Sequence, residues 1–205
     1  MELNSVATLA WEHLVLVVIS AFLVIATAIP LGIVLTRQST QFLAPVVTGI
    51  ANIGQAAPVV GVIVLLAIWL GFGTPVAILG LWFYAFLPVL ANVIAGLRGV
   101  DKQLIEAAHG LSMSPMQVLA KVELPLALPV IMTGVRTSLV LLVGAGAFAT
   151  FIDAGGLGGL ITSGINLYRT PILVSGAVLI AALALAVEWV GRVLELAFTP
   201  KGMIK

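Results

Sequence analysis

The side chains that could carry chemistry in this sequence gather in one polar stretch, residues 99–125. Apolar segments flank it on both sides, so the stretch must lie in water. It contains charged, imidazole and hydroxyl groups: Asp101, Lys102, Glu106, His109, Ser112, Ser114, Lys121 and Glu123. No acid, base and nucleophile converge in the sequence, and the helical periodicity of the stretch therefore favours docking against a partner over catalysis.

Several kinds of site are excluded by what the sequence lacks. It contains no cysteine, which removes disulfides, thiolate metal sites and cysteine nucleophiles. The two histidines, His13 and His109, lie far apart, and neither has a partner at metal-ligand spacing. The sequence has no Gly-x4-Gly-Lys-[Ser/Thr] phosphate loop and no basic run that would bind nucleic acid. We therefore expect no metal, cofactor or nucleic acid in this chain, and any ATP must be hydrolysed by another polypeptide.

The composition is typical of a membrane protein with several spans. Of 205 residues, 61% are hydrophobic and only 8% are charged, and the mean hydropathy is +1.25. Soluble domains carry about 25% charged residues. The N-terminal segment opens with polar and acidic residues, and no small-residue cleavage site follows its apolar run. We therefore expect that run to be a retained span and not a signal peptide.

Five apolar segments are long enough to cross a bilayer. They are predicted at residues 14–35, 41–72, 75–97, 126–152 and 171–197. The second contains Asn52, Gln55 and Pro58 and predicts a broken helix, because proline removes a backbone donor. The backbone groups freed there must face protein or a water-filled cavity. A tight turn is predicted at residues 71–75, and the glycine-rich residues 153–170 predict an exposed turn or a short re-entrant helix.

The basic residues predict how the chain is oriented in the membrane. If the N-terminus is outside, seven of them lie on or near the cytoplasmic face: Arg37, Arg98, Lys102, Lys121, Arg192, Lys201 and Lys205. Only Arg169 would lie outside, and Arg136 falls within the fourth span. This asymmetry predicts an outside N-terminus, an inside C-terminus and a cytoplasmic position for residues 99–125.

Two short motifs in the polar stretch resemble the EAA loop of binding-protein-dependent ABC importer permeases. They are Glu106-Ala107-Ala108 and Val122-Glu123-Leu124-Pro125. The family pattern is EAA, three residues, Gly, nine residues and Ile-x-Leu-Pro, and the register fits this sequence. Ser112 stands where the family has glycine, and Val122 replaces isoleucine. Because serine adopts positive φ reluctantly, we expect Gly110 to take part of the role of that glycine in the turn.

The resemblance implies an all-α, MetI-like transmembrane domain of a type I ABC importer over residues 1–205. In such permeases the loop forms a coupling helix that sits in a groove of the ATPase subunit. The implied ATPase-coupling residues are Glu106, Ala107, Ala108, Gly110, Leu111, Ser112, Pro115, Leu124 and Pro125. The implied partners are two ATPase subunits that bind ATP and Mg, a second permease copy or paralogue, and an extracytoplasmic solute-binding protein, assembled at a bacterial cytoplasmic membrane.

Other runs are similar to the osmoprotectant branch of this family, the permeases for glycine betaine, carnitine, choline and related quaternary amines. These runs are LPVLANVIAGLRGVD, ELPLALPVIMTGVRTS, FIDAGGLGGLITSGINLY and TPKG. The implied function is import of such a compatible solute by alternating access, driven by a partner ATPase. Two alternatives remain: a type I permease for another small solute such as an amino acid, and an ion-coupled secondary transporter, which the broken second segment would also fit.

Several polar residues in the spans have both a functional and a structural interpretation. A charge within a span costs about 2.5–3.5 kcal/mol on insertion scales, so Arg136 is either a functional group or a paired or snorkelling arginine. The candidates for the translocation path or its gate are Asn52, Gln55, Pro58, Asn92 and Arg136. The first three could instead stabilise the kink. Glu188 and Arg192, spaced i,i+4, are predicted to pair with each other.

The glycine-rich loop before the last span is a candidate for closing the outer gate or for docking the binding protein. Its glycines are Gly155, Gly156, Gly158 and Gly159. Docking follows from the resemblance, whereas the residues alone are equally compatible with a tight extracellular turn.

Overall fold

The protein, analysed as a computed structural model, is described over residues 3–198. The basic tail with Lys201 and Lys205, and the TPKG run, lie outside the described residues. The helices are α1 (Leu3–Leu35), α2 (Ala44–Ala56), α3 (Val59–Leu70), α4 (Thr74–Arg98), α5 (Lys102–Gly110), α6 (Pro115–Val118), α7 (Leu124–Gly146), α8 (Gly158–Asn166) and α9 (Thr170–Phe198). A 3-10 turn (Gln41–Leu43) precedes α2, a π-turn (Leu119–Glu123) precedes α7, and a 3-10 turn (Ala147–Ile152) follows it.

Helix α4 lies at the centre and packs against α1, α2, α3 and α7. Its crossing with α7 is close because α7 has a glycine there: a Cβ on Gly134 would lie 2.6 Å from the carbonyl oxygen of Pro88. The buried hydroxyl of Ser138 in α7 donates to the carbonyl oxygen of Ala85 at 2.9 Å. Small residues and interhelical hydrogen bonds are the usual means by which helices associate in a membrane, where lipid is as apolar as the side chains.

Four helical segments are long and apolar enough to cross a membrane: Ser5–Leu35, Thr74–Arg98, Pro115–Ile152 and Thr170–Ala197. The segment from Gln41 to Leu70 passes the same test as a pair of helices bent by 98°. The break predicted in residues 41–72 is therefore confirmed, with Pro58 immediately before α3. The described residues thus provide four spans, or five if the bent pair counts as one.

The first helix begins earlier than hydropathy alone predicts, at Leu3 instead of residue 14. It therefore includes Glu12, which accepts a hydrogen bond from the N–H of Gly156, and His13, whose Nε2 contacts the carbonyl oxygen of Val143. The tight turn at residues 71–75 is present, with Gly71 at φ +96° and Gly73 at φ +112°. The N–H of Gly73 donates to the carbonyl oxygen of Ile152 at 2.7 Å, which holds this turn against the end of the fourth span.

Candidate coupling site

The polar stretch folds into a hairpin of two short helices, α5 and α6, which we call the α5–α6 hairpin. Asp101 caps α5 by accepting a hydrogen bond from the N–H of Gln103 at 2.8 Å. A side-chain acceptor at this position satisfies one of the N–H groups that a helix start leaves unpaired. Ala108 is buried on the inner face of α5, whereas Glu106 and Ala107 are exposed.

The turn between the two helices is a Schellman motif centred on Ser112. The N–H of Ser112 donates to the carbonyl oxygen of His109 at 2.9 Å, and the N–H of Met113 donates to that of Ala108 at 3.2 Å. This pattern requires a left-handed residue after the helix, usually glycine, and Ser112 has φ +59°. The expectation that Gly110 would share this role is wrong, because Gly110 is the last helical residue of α5.

Helix α6 follows directly and begins with a capping box. The hydroxyl of Ser114 accepts from the N–H of Gln117, and the Gln117 side chain accepts from the N–H of Ser114 at 2.9 Å. Pro115 occupies the first turn of α6, where its missing N–H costs nothing. The Schellman motif and the capping box together leave little freedom in the α5–α6 hairpin.

The surface of the α5–α6 hairpin combines exposed apolar side chains with a carboxylate. Leu111 and Met116 are 78% and 71% exposed, and Leu104 is also exposed. Glu106 forms no ion pair among the described residues. Of the other residues predicted for coupling, Gly110, Ser112 and Pro115 are exposed, whereas Leu124 and Pro125 are half-buried at the base. Large exposed apolar side chains on a short segment that also carries an exposed charge are typical of an interaction surface.

The base of the α5–α6 hairpin is tied to the end of α1 by an ion pair that sequence reasoning missed. Arg37 donates from Nη2 to Oε2 of Glu123 at 2.8 Å and from Nη1 to Oε1 at 3.2 Å. Glu123 is buried, with 7% of its surface exposed. No periodicity links two positions so far apart in the sequence. The one available signal was that an apolar chain with few charges must pair those it buries.

Arg136 of α7 lies between two carboxylates of α9. Its Nε donates to Glu188 at 3.0 Å and its Nη1 donates to Glu195 at 2.7 Å, and its Nη2 also contacts Glu188. Glu188, Gly191 and Glu195 recur at helical spacing and therefore share one face of α9. A Cβ at position 191 would lie 3.1 Å from Cγ of Arg136, so the glycine leaves room for the arginine stem.

The predicted pair of Glu188 with Arg192 is therefore wrong. Glu188 turns towards α7 and binds Arg136, whereas Arg192 is exposed and forms no ion pair among residues 3–198. Arg136 is half-buried between two spans, so leaving it without a partner would cost more free energy than leaving an exposed arginine without one.

The remaining candidates for the translocation path lie on three different parts of the fold. Asn52 and Pro58 are exposed and Gln55 is half-buried, all beside the bend between α2 and α3. Asn92 lies at the crossing of α4 and α7, where its side chain donates to the carbonyl oxygen of Pro88 at 2.8 Å. Arg136 belongs to the separate cluster with α9.

The glycines before α9 allow close packing against α1 and against the 3-10 turn that follows α7. Gly155 and Gly156 have φ +78° and +90°, and the N–H of Gly156 donates to Oε2 of Glu12 at 3.0 Å. A side chain on Gly158 would collide with the backbone of Ala147. Gly159 meets only the Thr150 hydroxyl, at 3.8 Å from its added Cβ. Local packing thus requires glycine at the first three positions, and docking of a partner at this loop stays a prediction.

The chain is similar to known transport proteins. Residues 28–199 match the family described as binding-protein-dependent transport system inner membrane component. The choline transport system permease protein OpuBB of Bacillus subtilis (strain 168) is 42% identical over 193 residues, which cover 94% of this chain and 88% of that protein. The carnitine transport permease protein OpuCB of Listeria monocytogenes is 40% identical with the same coverage, 94% and 88%.

A solved structure has the same fold. A chain of the MetNI methionine ABC transporter in an inward-facing conformation matches with a TM-score of 0.85 at 26% identity, over 98% of this chain and 100% of that one. The fold and the relatives define the class of this protein, which is an ABC importer permease. The chain belongs to the family of binding-protein-dependent transport system inner membrane components. It is a multi-pass protein of the cytoplasmic membrane and a transport subunit, not an enzyme, and its family implies an ATPase and a binding protein as partners.

The left-handed turn at Ser112 predicts opposite effects of two substitutions on stability. Ser112→Gly should raise the free energy of unfolding by up to about 1 kcal/mol, because glycine adopts positive φ without steric cost. Ser112→Val should lower it by a similar amount or more, since a β-branched residue is poorly tolerated there. Both are measured by thermal unfolding of the purified permease in detergent.

Gly110→Ala is the matched control, because Gly110 is helical and an added Cβ would meet nothing within 4 Å. It should leave stability unchanged or slightly raised. A loss of stability in Gly110→Ala together with no effect of Ser112→Val would contradict the assignment of the turn.

Proposed function

We propose that this chain is a permease subunit of an ATP-driven importer that moves a quaternary-amine osmoprotectant, such as choline, carnitine or glycine betaine, into a bacterial cell. The observation that carries this proposal is the 42% identity, over 94% of the chain, to a choline transport system permease. The relative at 40% identity is a carnitine permease, so the similarity extends to two transporters of the same chemical class.

In this proposal the α5–α6 hairpin is the surface that the ATPase binds, and the ATP and Mg belong to that partner. The exposed carboxylate of Glu106 and the exposed apolar Leu111 and Met116 support this role, because they offer charge and hydrophobic area on a rigid support. Leu124 and Pro125 would anchor the base of the hairpin. Alternating access would then arise when closure of the ATPase tilts the spans attached to the hairpin.

The proposed topology is one domain over residues 1–205 with five spans, counting the bent pair α2–α3 as one, an outside N-terminus and an inside C-terminus. The ion pair of Arg37 with Glu123 supports this arrangement, since it brings the end of α1 to the base of the α5–α6 hairpin on one side of the membrane. Arg98 ends α4 on that same side. Arg37 and Arg98 would then lie on one side, which the positive-inside rule predicts to be the cytoplasm.

The residues that would line the translocation path are Asn52, Gln55 and Pro58 at the bend, together with Asn92 and Arg136. Arg136 and Glu188 border a cleft of about 380 Å³, which supports access of a polar solute to that cluster. Gly155, Gly156, Gly158 and Gly159 would form the outer surface that docks the binding protein. A second permease copy or a paralogue would complete the path, and the exposed apolar face of α9, including Val178, Leu185 and Trp189, is available to it.

The competing function is import of another small solute by the same machinery. It is favoured by the fold match to the methionine transporter, at a TM-score of 0.85. The higher identity to choline and carnitine permeases makes the quaternary amines the preferred solutes.

The solute class is tested by competition. In proteoliposomes that contain the permease with its ATPase and binding protein, ATP-dependent uptake of labelled choline or glycine betaine should fall to background when unlabelled quaternary amines are in excess. Excess methionine or histidine should not compete, because neither carries the permanently charged quaternary ammonium group that choline, carnitine and glycine betaine share. Competition by the amino acids alone would favour the alternative solute.

The role of Glu106 is tested by charge reversal. Glu106→Lys should weaken copurification of the ATPase by about thirtyfold, the effect of losing about 2 kcal/mol at an interface, and should abolish uptake. The amount of permease in the membrane should not change, because Glu106 is exposed and has no ion pair among residues 3–198.

Arg169→Glu is the control for Glu106→Lys, because it reverses an exposed charge on the side that the proposed topology places outside. It should leave ATPase copurification unchanged. Full copurification with Glu106→Lys would remove Glu106 from the interface.

The topology is tested by labelling, which the absence of native cysteine makes simple. A membrane-impermeant maleimide should label Arg169→Cys in intact cells or spheroplasts and Lys102→Cys only after the membrane is opened. Labelling of Lys102→Cys from outside would invert the proposed orientation.

A further inference from the structure

The ion pair of Arg37 with Glu123 lies at a mechanically important place in the chain. Glu123 is the last residue of the π-turn and the residue immediately before α7, so it lies where the α5–α6 hairpin joins its span. Arg37 lies just beyond the end of α1 and is held there by a hydrogen bond from its Nε to the carbonyl oxygen of Ile33 at 3.2 Å. Two parallel N–H···O bonds give this contact a defined direction as well as charge attraction.

The π-turn is the place between the α5–α6 hairpin and α7 where the chain bends most easily. Leu124 donates its N–H across five residues to the carbonyl oxygen of Leu119, and Pro125 has no N–H to donate. Departures from the regular helical ladder are where helices bend. A force on the α5–α6 hairpin could therefore be absorbed by bending here instead of moving α7.

The outer end of α1 is tied to the other end of α7. The Nε2 of His13 donates to the carbonyl oxygen of Val143 at 2.9 Å. This oxygen is available because the helix tightens there, where the N–H of Ala147 turns to the carbonyl oxygen of Gly144. Glu12 adds a bond to Gly156 in the loop that follows. Helix α1 is thus fastened near both ends of α7.

We propose that Arg37 and Glu123 are positioning residues for energy coupling: their ion pair braces the π-turn against α1, so that α1 and α7 tilt as one body when the α5–α6 hairpin is pushed. This inference rests on the proposed function, in which an ATPase supplies the push. Arg37 touches neither the solute nor ATP and acts only through Glu123.

A merely structural ion pair would give a different result. Its loss would lower the amount of folded complex, and uptake and ATP hydrolysis would fall in parallel. If the ion pair is a brace, its loss instead leaves the ATPase bound and active, while less of the motion of the ATPase reaches the spans. The quantity that separates the two roles is the amount of solute taken up per ATP hydrolysed.

The experiment uses the full complex of permease, ATPase and binding protein in proteoliposomes. Arg37→Gln and Glu123→Gln should each lower solute uptake per ATP by roughly tenfold, within the range usual for energetic coupling between sites, while binding-protein-stimulated ATP hydrolysis continues. Arg37→Lys should give an intermediate ratio, because an ammonium group keeps the charge but not the two-point contact. Arg192→Gln is the control, since Arg192 is exposed and without an ion pair among residues 3–198.

A second measurement needs no turnover. Spin labels at Ser39→Cys and Lys102→Cys, both exposed positions, report the distance from the end of α1 to the α5–α6 hairpin. That distance should stay the same between nucleotide-free and nucleotide-trapped complexes of the otherwise unchanged protein and should change when Arg37→Gln is added. The chain has no native cysteine to interfere.

The inference is overturned if uptake and ATP hydrolysis fall together in the glutamine variants, if the uptake-to-ATP ratio is unchanged, or if Arg37→Lys is as impaired as Arg37→Gln. It is also overturned if the spin-label distance in the Arg37→Gln complex stays constant on nucleotide trapping. Failure of the proposed function looks different: the unaltered complex would then show no ATP-dependent uptake at all.

Discussion

The scarcity of charge is the constraint on which this structure depends. With only 8% charged residues in a largely apolar chain, each charge that leaves water must meet a partner. Arg136 meets Glu188 and Glu195, and Glu123 meets Arg37. Each of these contacts joins two segments far apart in sequence. Polar groups in a membrane protein therefore specify which helices lie together, because lipid competes with apolar packing but not with an ion pair.

These contacts join three of the spans in two pairs that share α7. One joins α1 to α7 at the N-terminal end of α7 through Arg37 and Glu123 and near its C-terminal end through His13 and Val143. The other joins α7 to α9 through Arg136. Helix α7 belongs to both and continues from the α5–α6 hairpin, so it is the element that connects the α5–α6 hairpin to the rest of the fold. Central α4 provides the surface against which α7 packs.

The α5–α6 hairpin shows how a local rule can be met by an unexpected residue. The turn needs a left-handed residue two positions after Gly110, and Ser112 supplies it because two backbone hydrogen bonds and the capping box of Ser114 enforce it. The motif register predicted the position, whereas serine's reluctance to adopt positive φ wrongly suggested that Gly110 would compensate. Turn geometry is set by hydrogen bonds across the turn, and residue preference is the smaller term.

The amino-acid sequence by itself determined that this is a helical membrane protein, where its main spans lie, that the second segment breaks near Pro58 and that residues 99–125 form a polar stretch between spans. All of these depend on hydropathy, proline and short-range spacing, which act between neighbours in the chain. The partners of Arg37, Glu123 and Arg136 were decided only by the tertiary structure. Glu188 had a suitable cation one turn away in Arg192, yet it binds Arg136, because the cost of burying an arginine between spans exceeds the gain from pairing one that water already solvates.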